Sequence, residues 1–317
     1  MPPCHDPTPL IQQHIADIET VREVPGRIHR ESGYPGAVAA GYYPDVPRPI
    51  SLAHLTVLDT TPPELVTVAA GAGFRSIGIR LTATPSVGVP AYTEEMLRGG
   101  PLLRETLRRL DDTGVSVLDT EFLRFEPAEP VGVPEGFLEV SARLRARNVL
   151  VMSAEPEESR TLERFCELCD RAAAYGLQVG LEFAIYTGVR TLAHAAEMVA
   201  RSKRANASVL IDALHFSRSG GLPAHVASVD PSLLRYAQLC DAGPDMPAAS
   251  DTSALIQEAR TGRLLPGEGV LPLAELVAAL PDTAPLAIEA PCRETAHLPA
   301  LERAKRAHRA LSALVEA

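Results

Sequence analysis

From Ser51 onward the chain repeats one rhythm, a short run rich in Val, Ile and Leu followed by a longer amphipathic stretch, and it does so eight times. The apolar runs are SLAHLTVL (51–58), RSIGIRL (75–81), VSVLDTEF (115–122), NVLVMS (148–153), LQVGLEF (177–183), SVLIDAL (208–214), LRYAQLC (234–240) and PLAIEAP (285–291). A strand in a parallel sheet is covered on both faces and therefore reads as an almost continuous apolar run. The intervening stretches, among them PPELVTVAAGAG, TEEMLRGGPLLRETLRRLDDTG, ESRTLERFCELCDRAAAYG and LAHAAEMVARSKRA, have helical character. Several end in Gly just before the next strand, where a helix C-cap is expected. Eight strand–helix units in one chain predict a closed (β/α)8 barrel. An open doubly wound sheet would announce itself by GxGxxG after its first strand. Here that strand is followed by DTTPPELV, which has no glycine, and the later GAGF does not fit the pattern.

The remaining features bound the surroundings of such a barrel. The chain has 317 residues, and barrels of about 250 residues stand alone as one domain. Residues 1–50, with PGR, GYPG and YYPDVPRP, break any regular element and read as an extension, within which PLIQQHIADIETVRE could form a helix; residues 51–317 form the barrel. A formal net charge of −10 repels phosphate backbones, so nucleic acid is not an expected partner. The absence of Trp and an aromatic content of 4% argue against a polysaccharide cleft. No apolar run reaches the roughly 18 residues of a membrane span. The start, MPPCHDPTPL, has no basic-then-apolar leader pattern, so neither membrane nor export is expected. Five cysteines in no disulfide-scaffold spacing suit a reducing cytoplasm. Cys166 and Cys169 form a CxxC, but within a helical run, where two small apolar side chains on one face are the simpler reading.

Four of the apolar runs end in residues that a core does not need. VGLEF presents Glu182, VLIDALHF presents Asp212 with His215 three residues on, YAQLCDA presents Gln238 with Asp241 just beyond, and LAIEAP presents Glu289. Glu182 and Asp212 are 30 residues apart and Asp212 and Gln238 are 26 apart, about one strand–helix unit each. In a barrel the C-terminal ends of neighbouring strands converge on one mouth. Three carboxylates meeting there would repel and shift one another's pKa values, and a divalent cation resolves the conflict. Oxygen ligands from Glu, Asp and Gln suit Mn2+ or Mg2+ better than a thiolate-seeking ion. A single acidic residue at a strand end is as often a loop cap, but four in register on consecutive strands are not readily accidental.

As a set, these motifs resemble the xylose-isomerase-like barrels, a family of sugar-phosphate isomerases and epimerases. The resemblance covers roughly residues 51–317 and rests on VGLEF, the D-x-x-H of Asp212 to His215, LAIEAP, and RLLPGEGVLPLAELVAALP, which is similar to the PGxG-plus-helix element placed before the last strand of this family. The resemblance implies that Glu182, Asp212, Gln238 and Glu289 hold one divalent metal ion. Many epimerases of the family carry His where Gln238 stands; Gln there resembles the 3-dehydroshikimate dehydratase branch.

What the resemblance implies about function is a metal-dependent isomerase or epimerase of a sugar or related small hydroxy-ketone, acting through an enolate or enediolate. The alternative is a lyase of the dehydratase type. Glu182, Glu289 and His215 are the candidates to move the proton next to the carbonyl. A non-catalytic barrel that binds a ligand is the third reading. Further candidates for the substrate are His54 on strand one, Arg80 ending strand two, Glu121 ending strand three, and Arg218 and Arg263 in the loops after strands six and seven. Arg80 and Glu121 read more readily as an ion pair on the rim than as substrate contacts, and a loop arginine is commonly just solvated. The expected partner is a small molecule, and homo-oligomerisation stays open.

Overall fold

The computed structural model describes residues 48–84, 88–127 and 136–316. Eight parallel strands close into a barrel in sequence order, β1 through β8, with β8 pairing back onto β1. They are β1 (Ile50–Leu52), β2 (Ser76–Arg80), β3 (Ser116–Phe125), β4 (Asn148–Ser153), β5 (Gln178–Glu182), β6 (Ala207–Asp212), β7 (Ala237–Leu239) and β8 (Leu286–Ile288). All eight expected strands are present and in the expected order. The first is shorter than 51–58: pairing stops at Leu52, and the chain turns into a 3-10 helix at His54–Val57. The third is longer, because Leu123, Arg124 and Phe125 continue to pair with β4. The expected extension, residues 1–50, and the helix suggested within it fall outside the described residues up to position 47. Ile50 itself belongs to β1. Just before it, Arg48 donates to the carbonyls of Val277, Pro281 and Asp282 at 3.1, 2.8 and 3.1 Å.

The helices are α1 (Pro62–Ala72), α2 (Thr93–Leu97), α3 (Pro101–Thr113), α4 (Phe137–Arg143), α5 (Glu158–Ala173), α6 (Leu192–Ser202), α7 (Ala213–Arg218), α8 (Pro223–Val226), α9 (Thr252–Thr261), α10 (Leu273–Ala279) and α11 (Ala300–Glu316). α1, α3 and α5 are followed by Gly73, Gly114 and Gly176 in the left-handed conformation, as the glycine stops predict. The long run 93–114 is two helices rather than one, because Gly99-Gly100-Pro101 interrupts the backbone hydrogen bonds. Cys169 is buried in the core on α5 and Cys166 is half-buried beside it; both thiols are free.

The strands carry two kinds of face. Ile77, Ile79, Val149, Val151, Val179, Leu181, Val209, Ile211 and Ile288 are fully or almost fully buried in the large core shared with helix residues such as Val66, Leu103, Leu168 and Met198. Alternate residues form a second, smaller cluster, Leu118, Leu150, Met152, Leu210, Tyr236 and Ala287. Side chains alternate along a strand, so this second face also carries the polar residues that follow.

Candidate active site

Period-two alternation places Gly78 with Arg80, Asp119 with Glu121, Gly180 with Glu182, Leu210 with Asp212, Tyr236 with Gln238, and Ala287 with Glu289. The register links them across strands: Gly78 pairs with Asp119, Arg80 with Glu121, and Asp212 with Gln238. All of the acidic members and Gln238 are buried, none more than 4% exposed. β2 makes room for its neighbours by carrying glycine. A Cβ at Gly78 would lie 2.5 Å from Asp119 Oδ1 and 3.0 Å from Glu121 Oε1.

Five buried carboxyl groups therefore converge: Asp119, Glu121, Glu182, Asp212 and Glu289. Two guanidinium groups answer them. Arg80 pairs with Glu121 at 3.3 Å, the rim ion pair that one reading of the sequence expects, and its guanidinium lies 4.7 Å from the centroid of Phe122. Arg263 reaches Asp212 Oδ2 at 2.5 Å and Glu289 Oε2 at 3.1 Å. Gln238 Nε2 donates weakly to Glu289 at 3.4 Å and to Glu121 at 3.5 Å, while its buried Oε1 has no hydrogen-bond partner among the described residues. Beneath them the Tyr236 hydroxyl donates to Asp119 Oδ2 at 3.1 Å, and Asp119 Oδ1 is likewise without a partner.

The electrostatics follow from burial and crowding. Burial pushes Glu289 up to about 8, against the pull of Arg263. It takes Glu121 to about 7 and Asp119 to about 7, against Arg80 and the Tyr236 hydrogen bond respectively. Burial, with Asp212 and Glu289 nearby, also raises Glu182 well above the usual carboxylate range. Burial acts on Asp212 too, but Arg263 and the His215 amide outweigh it and hold this carboxyl below its ordinary value.

His215 lies in α7, and its backbone N–H donates to Asp212 Oδ1 at 2.9 Å, so Asp212 is the N-cap of that short helix. Its Nε2 is 3.9 Å from Glu182 Oε1, and its ring meets Tyr186 edge-on with centroids 5.6 Å apart. Burial lowers its pKa to about 4, so the ring is neutral at physiological pH. A cavity at the C-terminal ends of the strands is lined by Glu121, Glu182, His215, Arg80, Arg263 and Glu289. Leu55, Phe122, Met152, Tyr186 and Ile256 supply its apolar walls.

Two of the expected substrate contacts have other work. His54 stands in the 3-10 helix, not on a strand, and both ring nitrogens are engaged: Nε2 bonds to the Thr60 carbonyl at 2.9 Å and Nδ1 accepts from the Arg80 amide at 3.1 Å. It is fully buried and fixes the end of β2. Arg218 is neither a solvated loop residue nor a cavity residue. It closes α7, and its guanidinium grips the Glu258 carboxylate of α9 at 2.6 and 3.1 Å. Asp241 organises the PGEG loop, with Oδ1 accepting from Ala242 and Leu271 and Oδ2 from Gly267. A Cβ at Gly269 would fall 2.3 Å from the Ala242 carbonyl, so the second glycine of that loop is sterically required.

Asp119, Tyr236, Phe122, Tyr186 and helix α9 are not among the features singled out in the sequence. Asp119 and Tyr236 were detectable, since each stands two residues before a singled-out residue on the same face. Nothing local marks α9 as a wall of the cavity.

Residues 66–314 match the family model described as xylose isomerase-like TIM barrel. No curated protein matches the chain in sequence. Among solved structures, the IolI protein with a bound zinc atom superposes with a TM-score of 0.69 at 19% identity, over 84% of this chain and 98% of that one. The probable 3-DHS dehydratase AsbF of Bacillus anthracis gives 0.64 at 14% identity, over 83% and 98%. A D-allulose 3-epimerase from Methylomonas sp., in complex with D-allulose, gives 0.60 at 14% identity, over 84% and 97%.

Proposed function

Because the chain belongs to the xylose isomerase-like TIM barrel family, we propose that it is a divalent-metal-dependent enzyme moving a proton next to the carbonyl of a small, sugar-like hydroxy-ketone. The observation that carries this reading is the charge imbalance at the mouth. Five buried carboxyl groups have between them two paired guanidinium groups, Arg80 and Arg263, with Arg124 and Arg260 also lining the cavity, and an amide oxygen in their midst, Gln238 Oε1, has no donor among the described residues. Buried anions need protons, partners or a cation. Glu182, Asp212, Gln238 and Glu289 would hold the ion, and an all-oxygen set suits Mn2+ or Mg2+. When bound, the ion would polarise the substrate carbonyl and stabilise the negative charge that develops there.

The residues of the chain supply the rest. Glu182 and Glu289 face the cavity from strands on either side of Asp212 and Gln238, placed to take a proton from one face of the substrate and return it. Return to the neighbouring carbon isomerises; return to the opposite face epimerises. His215, neutral and close to Glu182, can donate or accept a hydrogen bond to a substrate hydroxyl. Phe122, Met152, Tyr186 and Ile256 exclude water from the reacting centre. The dehydratase reading, in which a β-hydroxyl is expelled, is favoured by one residue, Gln238 in β7, and AsbF is a structural neighbour.

The test combines metal and product. Chelated protein should be inactive on a panel of keto-sugars and cyclic hydroxy-ketones and regain turnover with Mn2+ or Mg2+. Glu182→Gln and Glu289→Gln should each lower metal content and activity. Appearance of a conjugated, ultraviolet-absorbing product identifies the lyase. Full turnover in thoroughly chelated protein would refute metal dependence.

A further inference from the structure

The guanidinium of Arg263 sits where two of the proposed ligands would meet a metal ion. Nη1 donates to Asp212 Oδ2 at 2.5 Å and to the Glu289 carbonyl at 3.2 Å, Nη2 pairs with Glu289 Oε2 at 3.1 Å, and Nε donates to the Ala259 carbonyl of α9 at 2.8 Å. The side chain is 2% exposed. Its backbone is held on both sides, by a bridge from Gly262 to Cys292 and one from Leu264 to Asp241. The other oxygen of Asp212 is taken by the His215 amide, so both of its oxygens are engaged. In this arrangement no three His, Cys, Asp or Glu side chains among the described residues stand close enough to hold an ion together.

A guanidinium seated between Asp212 and Glu289 and a divalent cation bound to the same oxygens compete for their inward-facing lone pairs and repel each other at short range. We infer that Arg263 and the divalent ion are alternative occupants of the space between Asp212 and Glu289. Entry of the ion displaces the guanidinium into the cavity that Arg263 already lines. Because the flanking backbone is pinned, the exchange is a side-chain rotation rather than a loop movement. Before metal loading, Arg263 keeps the Asp212 and Glu289 carboxyl groups paired; afterwards it is a cation facing the substrate. The inference rests on the metal-dependent reading above and adds that metal affinity is set by a residue that is not a ligand.

The test is Mn2+ binding by equilibrium dialysis, for the native chain and Arg263→Gln, together with phenylglyoxal labelling of the native chain mapped by mass spectrometry. Arg263→Gln should bind Mn2+ at least tenfold more tightly. Labelling at Arg263 should rise severalfold on saturation with Mn2+, while labelling at Arg218, gripped by Glu258, stays constant. Removing any nearby positive charge favours a cation to some extent, so labelling is the discriminating measurement, and it needs only the native chain should the variant fail to fold. If the native chain binds Mn2+ but Arg263 labelling does not change, exchange is overturned and metal dependence stands. If Arg263→Gln binds Mn2+ and the native chain does not, the exclusion stands and native metal dependence falls. If neither binds, both readings fall.

Discussion

Asp119 offers the clearest test of the buried charge. Its carboxyl is fully buried, its Oδ2 accepts from Tyr236, and its Oδ1 has no partner. Burial lifts its pKa from 3.8 to about 7. Between those two values the folded chain holds a proton that the unfolded chain releases. The resulting stabilisation is complete below about pH 4 and is lost as pH rises through 7. At about 1.4 kcal/mol per unit, the shift corresponds to at most about 4 kcal/mol. Asn has the shape of the protonated acid and carries no charge. In chelated protein at pH 5, Asp119→Asn should be more stable than the native chain by about 1.7 kcal/mol, since pH 5 already lies above the unfolded pKa, and at pH 8 by about 4 kcal/mol. Urea unfolding followed by circular dichroism at both pH values measures the difference. The nearby glutamates titrate in both chains and largely cancel in the comparison. A gap that does not widen between pH 5 and pH 8 would show that Asp119 is already ionised in the folded protein at pH 5 and would refute the burial-raised pKa.

Two further outcomes follow from the same site. His215→Ala should lower turnover by about a hundredfold with metal content preserved, as expected of a group acting on substrate; kinetics with metal analysis decides, since release of the ion would make His215 a ligand. Gly78→Ala should cost about 1–3 kcal/mol, because its Cβ meets Asp119 and Glu121, whereas Gly180→Ala, whose nearest contact is 3.6 Å, should be close to neutral in a thermal melt.

What could be read from the sequence was whatever depends on neighbours along the chain. β4 was legible to the residue, Asn148–Ser153, because a fully buried strand is an unbroken apolar run. The end of β1 was not, because His54 is an apolar-looking continuation whose ring is recruited by Thr60 and Arg80. Glu182, Asp212, Gln238 and Glu289 stand out in the sequence as polar ends of apolar runs, and the structure buries all four on neighbouring strands β5 to β8, with Glu182 and Glu289 lining the cavity. The partner of Arg218 is 40 residues away and that of Arg263 is 51, and no local pattern announces such pairs. Asp119 was legible in principle from its spacing to Glu121, but it lies in mid-strand, where an acid is expected to be rare rather than structural.

The N-cap at Asp212 has a consequence for how such barrels drift. One of its oxygens starts α7 and the other holds Arg263. Loss of this side chain would therefore damage the local fold even in a descendant that had given up chemistry altogether. Asp212 is thus a poor witness to activity, since it would be retained for architecture alone. Gln238 Oε1 has no such alibi: among the described residues nothing uses that oxygen. On the proposed metal-dependent reading, an aliphatic side chain in its place would remove a ligand at the cost of only two weak hydrogen bonds from Nε2, so its loss would report on the ion more directly than the loss of Asp212.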